Sequence, residues 1–234
     1  MKSDIKIMIE LQRYWQNVLK GKEDTERERK KITFWKDELK KKQDEEAALL
    51  QGIKELRHEI KTREVDLEEV DGRIKKLEER RPLLKSEKEL DALGQELEKA
   101  KGEDEALEES LIISMDDLDA REKEEAALKA ELEEMAVQVA KDITFLEGKI
   151  SEHEAYIAEN NDKYESLLPS LSSTLQKRFP KLLKSKNGRA ISPVRGDVCG
   201  SCNFQIPPHL VQETAGNSTV VTCTNCGCYI FEEF

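Results

Sequence analysis

The sequence predicts a mainly α protein: a long antiparallel coiled-coil hairpin followed by a small C-terminal β lobe. Three observations carry that expectation. The six prolines stand at 82, 169, 180, 193, 207 and 208, so residues 1–168 contain a single interruption. Apolar residues recur in alternating 3- and 4-residue steps on both sides of Pro82. All five cysteines fall within residues 199–228.

Composition sets the same limit. Charged residues are 38% of the 234 and hydrophobic residues 37%, against roughly 25% and 45–50% in ordinary domains. Mean hydropathy is -0.71. This is too little apolar side chain for one large enzyme-like core, and leaves long exposed helices or disorder. Disordered chains are enriched in proline, whereas this stretch is built from Glu, Lys, Leu, Ala, Arg and Gln, all strong helix formers.

The first arm holds one frame: Ile7, Leu11, Tyr14, Val18, Gly21, Thr25, Glu28, Ile32, Trp35, Leu39, Lys42, Glu46, Leu49, Ile53, Leu56, Ile60, Arg63, Leu67, Val70, Ile74 and Leu77. Fifteen of these 21 seam positions are apolar. A seam of this period stays buried only if the helix wraps around a partner helix. Its polar breaks at 21–28 and 42–46 predict looser stretches. The second arm runs from Leu90 through Leu93, Leu97, Ala100, Leu107, Leu111 and Leu118, and resumes at Leu128, Leu132, Met135 and Val139. The 4-residue step from Met135 to Val139 is followed by a second one to Ile143, a stutter, before Leu146 and Ile150; it predicts a straightened or bent stretch near 139–143.

Between the arms, Pro82 disfavours helix at Arg81, and Ser86 with Glu89 has the S-x-x-E form of a capping box. One helix should stop near 81 and another begin near 86, making the arms antiparallel neighbours over residues 1–168. Charge agrees. Residues 1–80 carry 21 Lys+Arg against 20 Asp+Glu, and residues 81–165 carry 11 against 26. Two copies of the second arm would repel, so pairing with the first arm of the same chain is preferred over a parallel homodimer. Monomer and dimer of finished hairpins both stay open.

From Pro169 the chain turns basic. Residues 169–196 read as a basic helical linker and strand, with Leu171, Leu175, Phe179 and Leu182 at helical spacing and a kink or break at Pro180. Lys177, Arg178, Lys181, Lys184, Lys186, Arg189 and Arg195 form a cluster suited to nucleic-acid phosphates or an acidic partner surface, or simply to solvent.

Residues 197–234 carry the strongest motif. Cys199-Gly-Ser-Cys202 and Cys223-Thr-Asn-Cys226-Gly are two C-x-x-C pairs able to surround one Zn²⁺ ion tetrahedrally, the pattern of a zinc ribbon. A redox pair is the rival for either half alone. Four sulfur ligands would close the shell, making the metal structural. Cys228 reads as a packed or free thiol, with an alternate ligand or a redox-sensitive site as the rival; His209 reads as a surface histidine ahead of a metal ligand, and His153 as a seam residue that specifies register. No phosphate-binding loop, nucleophile elbow or isolated carboxylate pair is present, so an enzyme is not expected. Charges interrupt the apolar residues of the N-terminus, which therefore lacks a signal-peptide core; no run spans a membrane, and the cytoplasm is the expected compartment.

The turn Lys85-Ser-Glu-Lys-Glu-Leu-Asp-Ala-Leu93, the run Cys199-Gly-Ser-Cys-Asn-Phe-Gln-Ile-Pro-Pro208 and the closing Cys223-Thr-Asn-Cys-Gly-Cys-Tyr-Ile-Phe231 together resemble the bacterial C4-type zinc-ribbon, coiled-coil hairpin family, in the form of a chlamydial member. The resemblance implies an elongated adaptor, with Cys199, Cys202, Cys223 and Cys226 as zinc ligands. It further implies partners among sigma-54 and components of flagellar or type III export, with RNA in some cases. The sequence departs from the family pattern at Cys228, where an arginine is usual.

Overall fold

A computed structural model describes residues 2–217 and 219–233. Helix α1 spans Lys2–Arg80 and α2 spans Glu87–Leu167. After them come α3 (Ser173–Ser185), β1 (Ile191–Arg195), β2 (Val198–Cys199), α4 (Pro208–Thr214), β3 (Val221–Thr222) and β4 (Tyr229–Glu232). The fold is thus mainly α, with a helical hairpin and a small C-terminal strand region, as the periodicity predicts. The chain divides into two compact units, one of residues 34–141 and one joining 1–33 to 142–234.

The unit of residues 34–141 is the turn end of the hairpin. α1 stops at Arg80, a 3₁₀ turn covers Arg81–Leu83, and α2 begins at Glu87. The Ser86 carbonyl accepts from the N–H groups of Glu89 and Leu90, both at 3.1 Å. The side-chain bonds of a capping box do not form among the described residues; Glu87 and Glu89 instead place negative charge at the helix start, where the dipole favours it.

Cross-helix partners step backwards along α2 as they step forwards along α1. Arg57 meets Glu122 at 2.6 Å, Arg63 meets Ser114, Arg73 meets Glu103, and Glu78 meets Lys101 at 2.9 Å. The three ion pairs among them are exposed and worth at most about 1 kcal/mol each. Burial of Ile53, Leu56, Ile60, Leu93, Ala100, Leu132 and Val139 along the seam supplies the larger share, at roughly 25 cal/mol per Å² of apolar surface.

In the other unit, Gly21, Thr25 and Glu28 are buried rather than loose. The Thr25 hydroxyl donates to the Gly21 carbonyl at 2.9 Å, and Lys31 donates to Glu28. Asn17 donates to Asn160 at 2.9 Å, and Asn160 in turn donates to the Tyr156 carbonyl. This amide pair, with Asn160 buried and Asn17 half-buried, is satisfied in one register only, a device of the kind expected of His153. α2 is helical throughout 139–143, and the division between the units falls at 141/142.

At its N-terminus α1 rotates away from the predicted frame. Ile5, Met8 and Leu11 are fully buried while Ile7 is only partly so. The reason is a second layer: these residues share a core with Tyr164, Leu175, Phe179 and Leu183, and with Ile191, Tyr229 and Phe231 of the strands. α3 continues through Pro180, without the expected break. Its apolar residues 175, 179 and 183 line one face toward that core.

The sheet has the order β2-β1-β4-β3, with β1 parallel to β4 and the other pairs antiparallel. Between the cysteine pairs, in the lobe read as β structure, the chain first forms α4, opened by Pro207-Pro208, and only then the short strand β3 at Val221–Thr222. Proline is favoured in the first helical turn because its missing N–H is not needed there.

Candidate metal centre

Each C-x-x-C pair sits on a turn of the same design. After the first, Asn203 N–H bonds the Cys199 carbonyl and Cys199 N–H bonds Phe204, both at 2.9 Å. After the second, Gly227 N–H bonds the Cys223 carbonyl at 2.9 Å and Cys223 N–H bonds Cys228 at 2.8 Å. Asn203 and Gly227 both adopt left-handed backbone, with φ of 55° and 74°. Asparagine tolerates that region better than most residues, so an Asn directly after a C-x-x-C pair is a turn signal that the sequence carries. At Gly200 a Cβ would stand 2.7 Å from the Pro193 carbonyl oxygen, which accepts the Gly200 N–H at 3.0 Å. This close approach of the first turn to β1 requires glycine.

The two turns bring the sulfurs of Cys199, Cys202, Cys223 and Cys226 within 4.8 Å of one another. Cys199 and Cys226 lie 3.9 Å apart, and Cys202 and Cys223 3.8 Å. A tetrahedron of sulfurs with metal bonds of about 2.3 Å has edges of about 3.8 Å. The donor set therefore fits a tetrahedral metal ion, and sulfur-rich tetrahedra suit zinc or iron. Among the described residues these four are the only such cluster of ligand-type side chains.

The surroundings treat the thiols unequally. Burial opposes ionisation of Cys202, yet the backbone at Phe204, the Asn225 side chain and the thiols of Cys226 and Cys199 outweigh it and bring the group down to about 6. Burial pushes Cys223 and Cys226 up. Ser192 places its hydroxyl 3.7 Å from the Cys199 sulfur. Ser192 and Asn225 carry no motif signal, because supporting residues are chosen by tertiary approach rather than by spacing.

Cys228 stands outside the four. Its sulfur lies 3.1 Å from the Arg189 carbonyl, to which the thiol donates, and 3.7 Å from the Ser201 hydroxyl. It occupies in the second turn the place Phe204 takes in the first, and is fully buried. His209 is exposed on α4.

The basic cluster is spread over four places. Lys177, Lys181 and Lys184 share the exposed face of α3, opposite its buried face. Arg178 lies over the Tyr229 ring at 5.3 Å. Lys186 and Arg189 border a shallow depression with Asn187, Ser201, Cys202 and Cys226, beside the metal site. Arg195 is exposed at the end of β1.

Fold and site together define a coiled-coil hairpin protein with a four-cysteine lobe. Solved structures share that architecture. CT398 from Chlamydia trachomatis is similar with a TM-score of 0.89 over 99% of this chain and 98% of its own, at 19% identity. A protein from Mycobacterium smegmatis is similar at 0.72 over 100% and 99%, at 18% identity. HP0958 from Helicobacter pylori is similar at 0.65 over 99% and 98%, at 16% identity. At these identities the likeness establishes the fold. No family model and no curated protein sequence matches the chain. No helix among the described residues is long and apolar enough to cross a membrane.

Proposed function

We propose that this chain is a non-enzymatic cytoplasmic adaptor of the C4-type zinc-ribbon, coiled-coil hairpin family. On this reading it joins sigma-54 to components of flagellar or type III export. The observation that carries the reading is the four-sulfur cluster at tetrahedral spacing in a lobe that shares its core with the base of a helical hairpin. Cys199, Cys202, Cys223 and Cys226 hold one zinc ion. Four protein ligands leave no open position for water or substrate, so the ion stabilises the fold rather than acting as a Lewis acid. The test is capture of purified sigma-54 and of an export-ATPase regulator by the zinc-loaded protein. Saturable binding to at least one is expected, and binding to neither overturns the assignment of partners.

A second reading, binding of RNA or DNA through the lobe, is favoured by one feature. No ion pair among the described residues engages Lys177, Lys181 or Lys184. Such binding would weaken steeply with salt, because phosphate contacts release counterions. Charge reversal at Lys181 and Lys184 should then abolish it, and unchanged binding in that variant removes this reading.

A further inference from the structure

The outward face of α2 near residue 112 has a composition that the hairpin itself does not use. Ile112, Ile113 and Met115 are 60%, 62% and 50% exposed, although Leu111 and Ser114 on either side turn into the seam. They are not scattered singly, as surface apolar residues usually are; three fall within four positions. Residues 102–120 contain eight acidic residues and no Lys, Arg or His. On the helix surface Ile112 and Ile113 are flanked, three and four positions away, by Glu108, Glu109 and Asp116. Those three carboxylates are exposed, and no ion pair among the described residues engages them. α1 neutralises other acids of α2, Glu122 and Glu103, through Arg57 and Arg73, and leaves this face uncompensated.

We propose that this face is a docking surface for a basic amphipathic helix of a partner protein. Apolar residues at 112 and 115 form a short ridge of the kind that packs into the groove between side chains of a second helix. The surrounding carboxylates select lysine- and arginine-rich segments and speed their encounter. The same charge argues against the other occupants. A second copy of this chain would bring an arm of 26 acidic and 11 basic residues against its like, and an anionic lipid surface would be repelled.

This inference rests on the adaptor reading and adds the chemistry of one partner. The test uses the full-length zinc-loaded protein and an 18-residue Leu/Lys amphipathic helical peptide, with binding followed by fluorescence anisotropy. Wild type should bind, and affinity should fall at least 10-fold between 50 and 300 mM salt. Ile112→Ser combined with Ile113→Ser should lose at least 10-fold in affinity with helix content and melting temperature unchanged. Val137→Ser, a similarly exposed apolar residue beside Glu133 and Glu134, is the control and should bind as wild type does. Equal loss in Val137→Ser, no loss in the double variant, equal binding of a Leu/Glu peptide, or a self-associated wild type that the double variant turns monomeric each overturns the proposal. Sigma-54 capture run in parallel separates the two claims: capture that survives the double variant leaves the adaptor reading standing and this face unused.

Discussion

Tyr164 shows how a single buried group reports on its surroundings. Its ring packs on Trp15 with centroids 5.6 Å apart, while its hydroxyl is buried without a hydrogen-bond partner. Burial, with a smaller contribution from Glu165, pushes the phenol up to about 12. The sign follows directly. Above pH 10 the unfolded tyrosine loses its proton before the folded one, so folding holds the extra proton and stability falls as pH rises from 10 toward 12. Replacing Tyr164 by Phe removes an unsatisfied polar atom while keeping the ring. The variant should gain about 1 kcal/mol, read as a melting temperature raised by about 2–4 °C, and its stability should fall less between pH 10 and 12. A loss of stability on this substitution would mean that the hydroxyl has a partner.

Elements meet through a few polar stitches that periodicity does not encode. The Gln12 side chain donates to the Ile191 carbonyl at 2.9 Å and accepts from the N–H groups of Ala190 and Ile191, so α1 holds β1 as a strand neighbour would. Asn217 does the same for β4, exchanging two bonds of 2.9 Å with the backbone of Glu232. At Gly188 the backbone has φ 79°, and a Cβ would stand 2.9 Å from Leu19 Cδ1. Gly188→Ala should therefore cost about 1–2 kcal/mol through backbone strain and crowding together, measured by urea unfolding. An unchanged midpoint would show that the lobe is not seated on α1.

The hairpin arms and the four cysteines were legible because each depends on spacing along the chain. A seam from Leu11 to Leu77 and two C-x-x-C pairs need no knowledge of what folds against them. The rotation of Ile5 and Met8 into a different face, the register bond between Asn17 and Asn160, and helix α4 were not legible. Each is decided by a tertiary neighbour that spacing does not reveal. The polar break at 21–28 misled for the same reason: Thr25 and Glu28 satisfy themselves within their own helix and are buried.

At the scale of the molecule, 38% charged residues and the apolar content they leave are reconciled by two kinds of core. Residues 34–141 bury a thin apolar seam. The strand lobe has a small cluster of Ile206, Val221 and Ile230 around Cys199 and Cys223, and a metal ion held by the four cysteines would supply what so few side chains do not. Stripping the metal with a strong chelator should unfold this lobe, because binding energy at such a site is folding energy. Most of the helical circular dichroism should persist, since residues 34–141 contain none of the cysteines. Complete loss of helix on chelation would instead make the hairpin dependent on the metal.

On the proposed function one zinc ion is held by Cys199, Cys202, Cys223 and Cys226, with Cys228 left out. The direct measurement is native mass spectrometry of the purified chain combined with thiol titration before and after denaturation in chelator. The predicted result is one zinc per chain, no readily reactive thiol in the folded protein, and five on unfolding. A folded chain without metal, an iron centre, or a Cys228→Ser variant that no longer holds zinc would contradict it.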